Sequence, residues 1–157
     1  MRVNFYVLNV PSREKVFTFI CHLLEQSHQN KQYIYVHVDS QKRAEHLDGL
    51  LWTYRDDSFL PHGLCYESTT TFPIAIGFDQ EKPASIYQIL LNLSNKIPNF
   101  YHDFEMIYEF VTADSTEQAQ AREKYRQYRN AGQLIDTYKV STHQQGFNIE
   151  LQTKQNA

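Results

Sequence analysis

Two successive strand-and-helix cycles in the first fifty residues constrain the fold more than any other feature of the sequence. Residues 3–8 are rich in aromatic and β-branched side chains, and a helix over residues 12–26 can begin at a serine N-cap. Residues 33–38 repeat the strand pattern, and Asp39 or Ser40 can cap a second helix. Because such strands join in parallel through a right-handed crossover, the sequence predicts a βαβ unit in which these two strands pair.

The rest of the chain extends this pattern into one domain. An irregular connection over residues 53–71 follows the second helix, and a last long helix begins at Asp114 or Ser115 and ends before Gly132. We predict an α/β protein: a single three-layer α/β/α domain, residues 1–138, with a mixed, partly parallel central sheet. A loose polar tail is predicted for residues 139–157. Further strands are predicted within residues 72–78, 86–93 and 105–111.

The charge balance and the cysteine count limit the possible partners. The formal net charge of −3 disfavours direct, specific nucleic-acid binding, which usually needs a strongly basic domain. Cys21 and Cys65 are too few for a disulfide framework, which is typical of proteins in a reducing cytoplasm. No signal peptide is recognisable, and no apolar run reaches the roughly 20 residues of a membrane span. We therefore expect a cytoplasmic protein without a membrane partner.

The motifs of nucleotide and metal sites are missing from the sequence. A phosphate-binding loop needs closely spaced glycines, whereas no two of the five glycines here are closer than fourteen residues. None of the seven histidines forms an HxxxH, HxH or CxxC-type pattern. We therefore expect no cofactor, no metal and no catalytic residue, and an enzyme is the least favoured function.

A basic, aromatic stretch near the C-terminus points to a binding function. The segment reads AREKYRQYRNAG, residues 121–132, and Arg122, Tyr125, Arg126 and Arg129 fall on one face of a helix. The cations near the helix end also suit the macrodipole, so a solvated helix end remains an alternative. An arginine side chain binds a carboxylate through two hydrogen bonds, and a tyrosine ring provides a flat apolar surface beside it. The helix is therefore predicted to bind an acidic peptide.

An apolar segment, Phe59-Leu60-Pro61, follows Trp52 within a polar loop. Such a segment either packs against its own core or anchors a partner, and composition alone favours the core.

The combination of LDGLLW, SFLPHGL and FVTADS…AREKYRQYRNAG resembles the chi subunits of the bacterial DNA polymerase III holoenzyme. The resemblance runs from about residue 3 to Gly132, with weaker support from FYVL and the Cys21 helix. It implies a non-catalytic accessory subunit of the clamp loader. Such subunits form a heterodimer with the psi subunit, which joins them to the clamp loader. They also bind the acidic C-terminal tail of single-stranded DNA-binding protein, which ends in Pro-Phe with a free carboxylate.

Carried over residue by residue, the resemblance assigns two sites. The tail-binding arginine, tyrosine and valine of the family fall on Arg122, Tyr125 and Val111. A lysine of some members falls on Gln118. The electrostatic attraction of the acidic tail is therefore weaker here, or is supplied by Lys124, Arg126 or Arg129. The psi-facing aromatic falls on Phe59, with Trp52 nearby, which favours an interface that also includes Leu60 and Pro61. The alternative is an α/β adaptor that binds another acidic peptide or single-stranded nucleic acid directly.

Overall fold

The computed structural model describes residues 1–54, 60–67, 71–79, 82–144 and 146–153. Over these residues the chain forms one mixed eight-stranded sheet and three α-helices, with a 3₁₀ turn at Tyr101–Asp103. The helices are α1 (Arg13–Gln29), α2 (Gln41–Trp52) and α3 (Ser115–Asn130). The strands are β1 (Arg2–Asn9), β2 (Ile34–His37), β3 (His62–Leu64), β4 (Ile74–Gly77), β5 (Ile89–Asn92), β6 (Met106–Val111), β7 (Leu134–His143) and β8 (Gly146–Thr153).

The strand order is β3-β4-β2-β5-β6-β1-β7-β8, and all neighbours pair in parallel except β7 and β8. The prediction that the first two strands pair is therefore wrong. Strand β1 pairs with β6 and β7, whereas β2 pairs with β4 and β5. The crossover through α1 passes over β5 and β6, because later parts of the chain insert between the two strands. The predicted irregular connection also contains a strand, β3, at the edge of the sheet.

Helices cover both faces of the sheet, which confirms the three-layer α/β/α prediction. Helices α1 and α2 share an apolar cluster with one face of β2, to which Ile34 and Val36 contribute. The opposite face packs against α3, where Phe5 of β1 lies edge-to-face with Tyr128 at a ring-centroid distance of 6.0 Å. Alternate residues of the central strands β2, β4 and β5 thus belong to different cores. No helix in the described ranges is long and apolar enough to span a membrane.

The helix boundaries are set by the predicted capping residues. Ser12 caps α1, Ser40 caps α2 and Asp114 caps α3, each through a side-chain oxygen that accepts a backbone N–H of the first turn. Gly132 lies just after α3 with a φ of +78°, which only glycine adopts without strain. The Asp114 cap sets the first residue of α3 and so determines which side chains of this helix face the sheet.

The C-terminal segment corrects the predicted boundary at residue 138. Strand β7 continues to His143, and β8 returns antiparallel to it as the last strand of the sheet. In β8, Phe147, Ile149 and Leu151 alternate with polar residues, a period-two pattern that is typical of a half-exposed strand. Within the predicted tail, Gln145 and residues 154–157 lie outside the described residues.

Candidate functional site

Helix α3 presents a buried face, an exposed face and a flank between them. Ala121, Lys124 and Tyr128 are buried against the sheet, whereas Arg122, Arg126 and Arg129 are exposed. Tyr125 is half-buried and recurs with Gln118, Arg122 and Arg129 at intervals of three or four residues. We call Gln118, Arg122, Tyr125 and Arg129 the basic flank of α3. The structure thus brings three predicted tail-binding residues to one side of the helix.

Lys124 lies on the opposite side of α3, in a buried polar cluster. Its Nζ donates hydrogen bonds to Glu109 Oε1 at 2.7 Å and to the Ser94 carbonyl oxygen at 3.0 Å. Glu109 is fully buried and also accepts from the Tyr128 hydroxyl at 2.7 Å and from Asn92 Nδ2 at 2.8 Å. Burial, reinforced by the Glu109 charge, holds the pKa of Tyr128 well above its usual range. The predicted role of Lys124 at the surface therefore gives way to a structural one.

This polar cluster has a recognisable feature in the sequence, although it was not predicted. Glu109 occupies an inward position of an apolar strand, and its two partners on α3 are four residues apart. An acid at such a position needs donors, because an unpaired buried charge is strongly unfavourable. Lys124 and Tyr128 supply them from adjacent turns of the helix.

The exposed arginines of α3 differ in their electrostatic state. Arg126 forms an ion pair with Glu123, and its Nε donates to Oε2 at 3.0 Å. Hydrogen bonds from Arg126 and then Gln127 lower the pKa of the Glu123 carboxyl to about 2. Arg122 and Arg129 make no ion pair with any residue in the described ranges. Their charges are therefore available to an anionic ligand.

Tyr125 and Val111 are positioned by the apolar core under the basic flank. The Tyr125 ring packs edge-to-face on Phe5 at 5.3 Å between ring centroids, which fixes the plane of the tyrosine ring. Val111, at the end of β6, is half-buried and contributes to the same apolar cluster. It also lines an open groove of about 320 Å³, together with Gln118 of the basic flank. Two further lining residues, Lys139 and Gln152, were not predicted from the sequence.

The second predicted surface lies at the other end of the sheet, beside β3. Trp52 is 57% exposed, and its ring lies 4.6 Å from that of His62, centroid to centroid. Leu60 is buried in the core that α2 covers, whereas Pro61 is half-buried. Trp52 and Pro61 border a cleft of about 360 Å³. Phe59, the predicted central contact, lies outside the described residues.

His62 is held rigidly beneath Trp52. Its Nδ1 lies 2.6 Å from the Leu60 carbonyl oxygen, and its Nε2 lies 3.2 Å from that of Asp48. The Nε2 atom is also 3.3 Å from the Asp48 carboxylate. The imidazole is buried, so it forms a fixed support for the exposed indole ring.

A third cleft, of about 440 Å³, lies at the carboxyl ends of β5 and β6, where many α/β proteins bind ligands. The three cations that line it each have a carboxylate partner. Arg13 contacts Glu117 at 2.8 Å, Arg43 lies 3.8 Å from Asp39, and Lys124 binds Glu109. Within the described ranges this cleft therefore offers no unpaired cation to a phosphate, and no cluster of three metal-ligating side chains occurs there or elsewhere in those ranges.

The comparisons with known proteins identify the family. The family model of the DNA polymerase III chi subunit, HolC, matches residues 1–136. The chain belongs to the DNA polymerase III chi subunit family. This confirms the resemblance found in the sequence and places the match before the end of β7.

Three DNA polymerase III chi subunits illustrate the relationship. The subunit of Pseudomonas aeruginosa is 30% identical over 139 residues, covering 88% of this chain and 96% of its own. That of Haemophilus influenzae is 31% identical over 138 residues, covering 87% and 96%. That of Escherichia coli is 28% identical over 139 residues, covering 85% and 95%. The match therefore includes nearly the whole length of each of these chi subunits.

Proposed function

We propose that this protein is a non-catalytic accessory subunit of the replicative DNA polymerase III clamp loader. It joins two partners: the psi subunit, and the acidic C-terminal tail of single-stranded DNA-binding protein. Membership of the chi family supports the setting in DNA replication. The tail would bind the basic flank of α3, and psi would bind the surface around Trp52.

The tail-binding proposal is carried by two exposed arginines, which have no ion-pair partner among the described residues, beside a tyrosine that packs on Phe5. A guanidinium without an ion-pair partner can bind a carboxylate without first breaking an internal contact. Arg122 is one turn from Gln118 and three residues from Tyr125, so the three residues lie on the same side of the helix. Such a site binds a terminal carboxylate at Arg122 and packs an aromatic side chain near Tyr125 and Val111.

The proposed psi surface rests on the exposed indole of Trp52. A large aromatic side chain that is more than half exposed and rigidly supported from below is typical of an interface anchor. Because Leu60 is committed to the core, Trp52 and Pro61 are the described residues of this segment that a partner can reach. The proposal includes Phe59 from the family resemblance alone.

Fluorescence anisotropy with a labelled acidic peptide ending in free phenylalanine tests the tail-binding proposal. Arg122→Ala should weaken binding by about 1.5–3 kcal/mol, the usual worth of a hydrogen bond to a charged group. Arg126→Ala should cost less, because its charge is already paired with Glu123. Lys42→Ala, at an exposed position of α2 on the other face of the sheet, is the matched control and should leave the affinity unchanged.

Amidation of the peptide distinguishes a carboxylate receptor from a general anion binder. The amide should mimic Arg122→Ala, and combining the two changes should add little, because both remove the same contact. A phosphate backbone would spread its contacts over all cations, so direct binding of single-stranded DNA predicts similar losses for Arg122→Ala, Arg126→Ala and Arg129→Ala. Equal losses together with indifference to amidation would reject the proposal.

A further inference from the structure

The groove beside Val111 lies between helix α3 on one side and the strands β7 and β8 on the other. Val111, Val7 and Lys139 lie side by side on β6, β1 and β7, in one row across the sheet. With strands about 4.8 Å apart, the Lys139 Cα lies roughly 10 Å from that of Val111. Gln118 forms the opposite rim from α3, and Gln152 of β8 extends the Lys139 side.

The Lys139 side of this groove lies beyond the residues that the chi family model matches. The family match ends at residue 136, whereas Lys139 and Gln152 come from the later part of β7 and from β8. The register of β7 against β1 places Lys139 beside Val7, and β8 pairs antiparallel with β7, with Gln152 at an irregularity of that register. The β7–β8 hairpin, residues 134–153, therefore adds a wall to a site whose other wall is α3.

The charge that lines this groove is positive. Lys139 is the one charged residue that lines it among the described residues, and no acidic side chain does so. Lys139 is exposed and makes no ion pair within the described ranges. Its cross-strand neighbour, Glu150, accepts a hydrogen bond from Asn148 at 3.3 Å instead. The side chains of Val7 and Val111 give the groove an apolar floor.

We propose that Lys139 is a specificity-determining residue for the acidic peptide that binds the basic flank of α3. The inference rests on the proposed tail-binding function and adds the hairpin to its site. The apolar floor takes the peptide's terminal side chain while Arg122 binds its carboxylate. Lys139, on the opposite rim, then contacts an acidic side chain a few residues before the peptide's end, so the peptide is held between α3 and the hairpin.

Charge-changing variants at Lys139 test the inference with the full-length protein. Lys139→Ala should weaken binding of the acidic peptide by roughly 2–5-fold, the usual range for an exposed ion pair, and Lys139→Glu should weaken it further. Lys42→Glu makes the same change in net charge on the other face of the sheet. Because the Debye length at physiological salt is about 8 Å, this control should have almost no effect. Thermal melts of both variants verify that they fold like the wild type.

A peptide series locates the partner of Lys139. Each acidic residue of the peptide is changed to lysine in turn, and one of these peptides should bind Lys139→Glu better than it binds the wild type. Arg122-dependent binding in which Lys139→Glu behaves like Lys42→Glu would overturn the inference and leave the proposed function standing. Binding that is insensitive to Arg122→Ala would contradict the proposed function itself, and the inference with it.

Discussion

Lys124→Met keeps the length of the side chain and removes its ammonium group. In the wild type this group contacts Glu109, which has no exposed surface, and the Ser94 carbonyl oxygen. The substitution leaves the Glu109 carboxylate with Tyr128 and Asn92 as its donors. Breaking a buried ion pair from one side costs about 3–5 kcal/mol, because the remaining charge stays buried without its counterion.

Urea unfolding followed by circular dichroism measures this loss directly. For a domain of this size, 3–5 kcal/mol corresponds to a decrease in Tm of roughly 6–20 °C. Lys42→Met, the same change at an exposed position, should stay within about 0.5 kcal/mol of the wild type. Combining Lys124→Met with Glu109→Gln removes both charges, so the double variant should be more stable than the sum of the single losses implies.

The binding behaviour of Lys124→Met decides between a structural and a ligand-binding role. Below its melting temperature the folded variant should bind the acidic peptide with wild-type affinity, because the ammonium faces away from the basic flank. Wild-type stability combined with a loss of peptide affinity would refute the reasoning, since it would place Lys124 at the surface.

Three further predictions concern stability and reactivity. Gly132→Ala should destabilise by about 1 kcal/mol in urea unfolding, because alanine is strained at a φ of +78°. Hydrogen bonds from Arg13 and Thr112 lower the folded-state pKa of Glu117, so their stabilisation is complete above the ordinary glutamate pKa of about 4.3 and is lost as the pH falls through the lower folded value. Arg13→Ala should therefore flatten the acid limb of a plot of unfolding free energy against pH. Burial raises the pKa of the Cys21 thiol to about 12, so a thiol reagent should modify the exposed Cys65 in the native protein and Cys21 only after unfolding.

The elements that could be predicted from the sequence are those with a local cause. Ser12, Ser40 and Asp114 mark the starts of the helices because a capping side chain acts on the next turn. The pairing of β1 with β6 and β7 could not be predicted in the same way, since it depends on strands more than a hundred residues later in the chain. Strand β8 was not predicted although its residues alternate between apolar and polar, because its composition is as polar as that of a loose tail.

The site shows the same division between local and long-range causes. Helical spacing predicts Arg122, Arg126 and Arg129 on one face of α3, and all three are exposed. The Arg126–Glu123 pair is local too, since the two residues are three apart on the helix, whereas Lys124 is bound to Glu109 from a different element, which helical spacing does not reveal. The groove residue Lys139 could not be found from α3 alone, because the sheet register brings it beside Val7.

We propose that one chain joins two partners through two separate surfaces, and analytical ultracentrifugation of the mixed proteins tests this claim. Wild-type protein mixed with the psi subunit and single-stranded DNA-binding protein should sediment as one ternary complex. Arg122→Ala should retain psi alone. Trp52→Ala should retain single-stranded DNA-binding protein and lose psi, with a cost on the order of 2 kcal/mol, or roughly 30-fold in affinity. The absence of a wild-type ternary complex, or a single substitution that removes both partners from a folded protein, would contradict the claim.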